Sequence, residues 1–261
     1  MAVKARPHSA KKRLDVLLVE RGLVESRQKA QAVILAGEVR VNGQRAEKPG
    51  AMFSVDAQVE LAGKGSRYAS RAGEKLEGAL RDFGVSPANR ICLDAGSSSG
   101  GFTDCLVQHG AAKVYAVDVT ISQLAWKLQR DQRVATVEMN VRYLKPENLA
   151  ERPSLITADL SFISLGKVLT ALAAAAQENA EFLLLVKPQF ELERGEVGAG
   201  GIVRDPQLRE RAIERVRKAA EACGVRVLGV QPSRLPGAEG NQEFFLYGAL
   251  GGARNSPGEK R

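Results

Sequence analysis

The sequence predicts an α/β protein in two parts: a small amino-terminal α+β module, then a larger doubly wound domain on a mainly parallel, seven-stranded sheet. Three observations carry this. From Ile91 to Asp104, ICLDAGSSSGGFTD, an apolar run ends in Asp94, passes through a glycine–serine turn and enters a helix. A strand feeding a tight glycine turn into a helix is the first half of a nucleotide-binding α/β unit. Downstream, apolar strands alternate with amphipathic helices, the pattern of a sheet covered on both faces. Upstream, the charge changes: residues 1–65 hold 12 Lys/Arg against 7 Asp/Glu, and residues 66–261 hold 26 against 23, within a formal charge of +8.

Residues 1–10 read as a basic tail. Leu14, Leu17 and Leu18 have helical spacing over Arg13–Glu20. Ser26 suits the N-cap of a second helix, Arg27–Leu35, which Gly37 ends. Val39 and Val41 alternate with charged neighbours as a strand, Asn42-Gly43 makes a tight turn, and Val55, Val59 and Leu61 mark further short strands. This module spans 1–61. Residues 62–70 are the expected linker, opening with the polar, glycine-rich AGKGS.

The larger domain is expected over 71–250. Ser70 is placed to cap a helix over 71–83. Strands are expected at 90–95, 113–118, 134–138, 154–159, 181–187, 225–231 and 243–249. Helices are clearest at 101–109, 122–130, 164–177 and 206–222. The last strand follows its predecessor through a Pro/Gly-rich connection without a helix, so it is expected to run antiparallel. Residues 190–205, FELERGEVGAGGIVRD, are too long for an ordinary connection and suggest a substrate-facing loop. Residues 251–261 are an expected disordered tail.

Composition excludes several chemistries. Cys92, Cys105 and Cys223 are far apart and odd in number, and His8 and His109 are isolated. No disulfide framework, metal site or histidine triad fits that pattern. No apolar run approaches a membrane span, and the start lacks the apolar core of a signal peptide. A cytoplasmic protein without stable membrane association is expected. The basic module points to an anionic partner such as nucleic acid.

The glycine turn narrows the ligand. Gly96, Ser98 and Gly101 occupy the positions of a G-x-G-x-x-G fingerprint, so the glycine that admits a pyrophosphate is missing. That argues against NAD or FAD. The form from Asp94 through Gly96 to Gly100 and Gly101 instead resembles the S-adenosylmethionine (SAM) loop of class I methyltransferases. Asp118 ends the next strand about twenty residues on, where an acid can accept from a ribose diol. The resemblance gives Asp94, Gly96, Ser98, Gly100 and Gly101 to the loop around the methionine end, Asp118 to the ribose and Asn140 to the adenine.

Four charged residues complete the pattern. Asp159 ends ITAD and Lys187 ends LLLVK, each at the rim where an apolar strand stops; Lys75 lies on the preceding helix and Glu243 opens the last strand. Together they resemble the K-D-K-E tetrad of FtsJ-like ribose 2′-O-methyltransferases. The amino-terminal order, with RLD at 13–15 and SRQKAQAVILAGEVRVNG at 26–43, resembles the S-four-type RNA-binding module. The segments SRAGEKL, DAGSSSGGFTD, ADLSFISL, LLVKPQFE and GNQEFF extend the likeness to the TlyA (haemolysin A) family of rRNA 2′-O-methyltransferases.

That resemblance implies SAM as cofactor, rRNA in ribosomal subunits as partner, and methylation of a cytidine ribose. RNA contacts are then expected at Lys12, Arg13, Arg27, Lys29, Arg40, Arg67 and Arg71. Lys187 is expected at the reacting hydroxyl, as a base or as an electrostatic and steering group, with Asp159 orienting it and Glu243 holding Lys75. A non-catalytic RNA-binding assembly factor is the alternative. The haemolysin label has no membrane-inserting segment behind it.

Overall fold

The computed structural model describes residues 11–21, 23–24, 26–61, 67–193, 195–237 and 240–251. The expected basic tail, residues 62–66 of the expected linker and residues 252–261 lie outside them. The chain divides into two compact units, 1–66 and 67–261.

The first unit runs β1 (Lys11–Arg13), α1 (Leu14–Glu20), α2 (Arg27–Leu35), β2 (Val39–Val41), β3 (Gln44–Arg45), β4 (Met52–Ser54) and β5 (Val59–Leu61). Strands β3, β2 and β5 form an antiparallel sheet, and β1 pairs with β4. Leu14 and Leu18 of α1, Ala30 and Ile34 of α2, and Val39 and Val41 of β2 close a small core. Ser26 caps α2 by accepting from the Lys29 amide at 3.2 Å. Asn42 and Gly43 both adopt positive φ, 50° and 79°, as a tight hairpin turn requires. Two expectations shift. Arg13 belongs to strand β1 rather than to the helix, because it pairs with Met52, and Val55 lies in the turn after β4.

The second unit runs α3 (Ala72–Phe83), β6 (Ile91–Ala95), α4 (Gly101–Gln108), β7 (Lys113–Asp118), α5 (Trp126–Gln129), β8 (Val134–Glu138), β9 (Leu155–Ala158), α6 (Leu169–Ala175), β10 (Glu181–Val186), α7 (Pro188–Glu191), α8 (Pro206–Ala222), β11 (Val225–Pro232) and β12 (Phe244–Leu250). Its seven strands lie in the order β11-β12-β10-β9-β6-β7-β8. β12 is antiparallel to both neighbours, and the remaining pairings are parallel. The chain moves outward from β6 through β7 to β8 and then returns to β9 on the other side. The carboxyl ends of β6 and β9 therefore flank the crevice where such sheets bind ligands.

Side chains alternate across the sheet. Leu93, Phe182, Leu184 and Val186 pack on one face with Leu169 and Leu172 of α6 and Ile213 and Val216 of α8. Cys92, Leu183, Leu185 and Phe245 pack on the other with Leu76 and Leu80 of α3 and Phe102 and Leu106 of α4. Truncating a fully enclosed aromatic such as Phe245 is worth roughly 3–5 kcal/mol.

Several elements differ from expectation. The helix expected over 122–130 is broken: a 3-10 turn covers Ile121–Gln123, Leu124 and Ala125 are extended, and α5 follows. The break lets the Ala125 amide reach the Ser99 carbonyl at 3.1 Å and sets Leu124 and Leu128 against Gly100. The helix expected over 164–177 opens as a 3-10 turn at Leu165–Lys167 and ends at Ala175. α3 starts at Ala72 without the Ser70 cap, because Arg71 already has helical φ and ψ; the Ser70 hydroxyl lies against Gly101 instead.

Residues 67–70 of the expected linker pack into the second unit. Tyr68 is buried, and the Ala69 amide donates to Asp104 Oδ2 at 2.7 Å. Part of the expected loop at 190–205 is the end of α7, and more of it is tied down: the Val203 amide donates to Asn241 and Arg211 pairs with Glu196. Arg194 lies outside the described residues.

Candidate active site

The glycine turn after β6 is built on close approach. A Cβ on Gly96 would lie 2.5 Å from the Asp159 carbonyl oxygen, and one on Gly101 would lie 2.3 Å from Ser70 Oγ. Ser98, between them, holds a positive φ of 45°, a strained conformation for a side-chain-bearing residue. Its amide donates to Asp118 Oδ2 at 2.9 Å, and the Thr120 amide donates to Oδ1 at 3.1 Å. Asp118 thus fastens the turn to the end of β7.

Asp94 has no exposed surface. Its Oδ2 accepts from Thr103 at 2.6 Å, and its Oδ1 has no hydrogen-bond partner. Burial pushes its carboxyl up to about 7, the Thr103 bond offsets part of the rise, and Asp159 and Asp118 add to it. Ser97 Oγ, in the same turn, is also buried without a partner. Of these two groups Ser97 Oγ lies on a cavity and marks a place for another polar partner, whereas Asp94 is enclosed behind the turn.

Two cavities border this turn, and a third lies beyond Lys187. One of about 670 Å³ is lined by Gly96, Ser98, Asp118, Met139, Asn140 and Asp159. Asn140 is exposed there, caps the 3-10 turn at Val141–Tyr143 and accepts from the Arg142 amide at 3.0 Å. A second, about 140 Å³, leads from Ser97 and Gly101 to Asp159 and Lys187. A third, about 380 Å³, is bordered by Lys187, Glu243, Ser161, Phe162, Gln189 and Phe190.

The four charged rim residues assemble as two ion pairs. Asp159 follows β9, Lys187 follows β10 and Glu243 precedes β12, and the register Val186↔Phe244 brings the last two out at one rim. Lys187 Nζ stands 2.6 Å from Asp159 Oδ1 and donates to Ser161 Oγ at 3.0 Å. Lys75, on α3, donates to Glu243 Oε2 at 2.6 Å with both residues buried. Glu243 Oε1 rests on Gly237, where a Cβ would lie 2.6 Å away. Of the residues expected at the cofactor and in the tetrad, Gly96, Ser98, Gly101, Asp118, Asn140, Asp159, Lys187 and Glu243 border these cavities, whereas Asp94, Gly100 and Lys75 border none of them.

Sequence reasoning missed several residues of this crevice. Ser161 stands two residues after Asp159, a spacing that signals nothing by itself. Phe162 holds a φ of 64°, is 92% exposed and lies 5.2 Å from the Phe190 ring, whose face is 5.9 Å from Lys187 Nζ. Glu191 accepts from Ser164 Oγ at 2.6 Å and from the Leu165 amide at 2.9 Å, pinning the segment after Asp159 to the segment after Lys187. Asn241 joins Gly201 and Val203 to the segment that leads through Glu243 into β12.

The cysteines play no visible part. Burial pushes the Cys92 and Cys105 thiols up to about 12, away from nucleophilic use. Among the described residues, no group of three His, Cys, Asp or Glu is placed to hold a metal, and no helix is long and apolar enough to cross a membrane.

The residues expected at RNA fall in both units. Lys12, Arg13, Arg27, Lys29 and Arg40 are all exposed on the first, and Arg67 and Arg71 are exposed at the start of the second. Lys12 pairs with Glu20 at 2.7 Å, and Arg67 is paired with Glu77.

Comparison with known proteins agrees with this anatomy. Residues 68–250 match the FtsJ-like methyltransferase model, and residues 12–59 match the S4 domain model. Over 237 residues the chain is 48% identical to the 16S/23S rRNA (cytidine-2′-O)-methyltransferase TlyA of Mycobacterium tuberculosis, covering 90% of this chain and 88% of that one. It is 42% identical to Hemolysin A of Brachyspira hyodysenteriae, covering 90% and 98%. A solved structure from Streptococcus thermophilus, also bearing a hemolysin label, is 42% identical with a TM-score of 0.72, covering 92% of this chain and 88% of that one. The chain belongs to the FtsJ-like methyltransferase family, within the TlyA group in which an S4 domain precedes the methyltransferase fold.

Proposed function

We propose that this protein transfers a methyl group from SAM to the ribose 2′-hydroxyl of a cytidine in ribosomal RNA. The observation that carries the reading is the convergence of the Lys187–Asp159 and Lys75–Glu243 pairs beside the glycine turn, in a chain 48% identical to an enzyme named for that reaction. The crevice fits SAM. Asp118 and Asp159 line it with carboxylates, suited to a ligand with a sulfonium and an ammonium, and Ser97 Oγ, on the same lining, lacks a partner that such a ligand would bring. Gly96 and Gly101 let the turn pack directly against Asp159 and Ser70, where a Cβ would collide. Asp94, Ser97 and the turn from Gly96 to Gly101 would hold the methionine end, Asp118 the ribose and Asn140 the adenine side.

When bound, SAM supplies an electrophilic methyl group on a positively charged sulfur. The chain's part is to bring a ribose oxygen to it, so that the new oxygen–methyl bond forms as the methyl–sulfur bond breaks and the hydroxyl proton passes to solvent water. Lys187 Nζ pairs with Asp159 Oδ1 at 2.6 Å. It donates to the 2′-oxygen and stabilises the negative charge that grows there. Ser161 fixes the direction of the ammonium, and Asp159 fixes its place. Lys75 and Glu243 keep the start of β12 at the rim. The S4 unit supplies affinity for the folded RNA through phosphate contacts, which position rather than read sequence. An rRNA substrate implies a cytoplasmic site of action.

The test is tritiated methyl transfer from SAM to purified ribosomal subunits, with the modified position mapped by resistance to alkaline hydrolysis. Incorporation at a cytidine 2′-oxygen is the expected result. A protein that binds the subunits but neither binds SAM nor transfers methyl would be a binding factor instead.

A further inference from the structure

The S4 unit carries a charged cluster that the reading above does not use. Asp15, on α1, has no exposed surface, yet it lies beneath two arginines that do. Arg13 donates from Nε to Asp15 Oδ1 at 3.0 Å and from Nη2 to Oδ2 at 2.8 Å, a two-pronged grip on the carboxylate. Arg27, from the first turn of α2, donates from Nη2 to the same Oδ2 at 3.2 Å, and Gln31, one turn further on, donates at 3.2 Å. The carboxylate is saturated. Both guanidinium groups keep donors to spare, with side chains 46% and 59% exposed. Arg13 also rests on Gly50, where a Cβ would lie 3.2 Å from Nη1.

A module that only needed positive charge would gain nothing from a carboxylate here, since Asp15 cancels one of the two charges. It gains geometry instead. A planar guanidinium recognises phosphate by a fixed fork of donors, and a buried carboxylate holding two such forks from below fixes their free edges before any ligand arrives. We propose that Asp15 is a positioning residue that makes Arg13 and Arg27 into a preformed clamp for one backbone phosphate of the RNA. This rests on the reading that the module binds ribosomal RNA.

The test exploits a sign. Asp15→Asn raises the charge of the module by one, so simple electrostatics predicts tighter binding, whereas loss of the clamp predicts weaker binding. Affinity for purified ribosomal subunits, by filter binding at fixed salt, is expected to fall about tenfold in Asp15→Asn. Arg13→Lys, which keeps the charge but cannot bridge both carboxylate oxygens, is expected to fall by a similar factor. The double variant is expected to be little worse than either single one, because both remove the same arrangement. In methyl transfer the loss is expected in KM for the subunits, with kcat held. Thermal melting separates these effects from unfolding. If Asp15→Asn melts the module, Arg13→Lys carries the test, and unchanged affinity in it overturns the clamp. Equal or tighter binding by a folded Asp15→Asn, or losses that multiply in the double variant, also overturns it. A wild type that binds no subunits removes the rRNA reading itself, a different result from a wild type that binds and variants that bind equally well.

Discussion

Two lysine–carboxylate pairs stand at the same rim of the sheet, each 2.6 Å long, and differ in what surrounds them. Lys75–Glu243 lies between α3 and the start of β12; its carboxylate is 3% exposed and borders one cavity, and its lysine borders none of the three. In Lys187–Asp159 the carboxylate is 16% exposed, Lys187 borders two cavities and Asp159 borders two. The same contact therefore does different work. We propose that the more enclosed pair chiefly holds the rim together, because its lysine meets no cavity and its charge is matched by Glu243. A pair opening onto cavities can share its charge with a ligand, and Lys187 already divides its donors between Asp159 and Ser161.

The largest effect that separates the pairs is on rate. Lys187→Ala is expected to lower methyl transfer about 10³-fold, within the range for loss of a group acting on a reacting proton or oxygen, while melting within a few degrees of the wild type. Retained transfer would end the assignment of Lys187. Next comes stability. Lys75→Met leaves Glu243 buried without its cation and is expected to cost roughly 3–5 kcal/mol, whereas Lys187→Met leaves Asp159 beside open cavities and should cost no more than about 1–2 kcal/mol, both by denaturant unfolding. Equal losses would break the comparison.

A third measurement concerns the acid behind the turn. The Asp94 carboxyl is raised to about 7 from its ordinary value of 3.8, so the folded chain holds this proton more tightly than the unfolded one. Stability from this group is then full below about pH 4, falls as pH rises towards 7 and stays low above it, a change on the order of 2–4 kcal/mol that Asp94→Asn should remove. A cationic ligand favours the ionised form, so SAM affinity by calorimetry is expected to rise between pH 6 and 8 in the wild type and to stay flat in Asp94→Asn. The smallest effect belongs to Ser161. Ser161→Ala removes one hydrogen bond to Lys187 and should lower kcat by about tenfold or less. A loss as large as that of Lys187→Ala would mean that Ser161 itself touches the substrate.

The rim was legible in the sequence because a charge that ends an apolar run has one place to go. ITAD and LLLVK each stop where the sheet stops, which placed Asp159 and Lys187 to within a residue. The glycine turn was legible for a similar reason, since few sequences carry so many small residues between a strand and a helix. What stayed hidden depends on partners distant in the chain. Asn241 meets Gly201 and Val203 across about forty residues, and Asp15 reads as an ordinary polar residue of an amphipathic helix until Arg27 and Gln31 fold over it. The break at Leu124 and Ala125 was hidden too. Leu124 and Leu128 both lie against Gly100, a contact made across about twenty-five residues, and the backbone between the two turns is extended there.

The reversed direction of β12 has a practical result. Because it runs against its neighbours, it delivers Glu243 to the ligand rim at its beginning and leaves the sheet at the far edge, where the Leu250 amide donates to the Ala180 carbonyl at 2.9 Å. Gly251, the first residue after β12, is thus a full strand length away from the crevice. Labelling there offers a way to immobilise or image the protein with its cavities open.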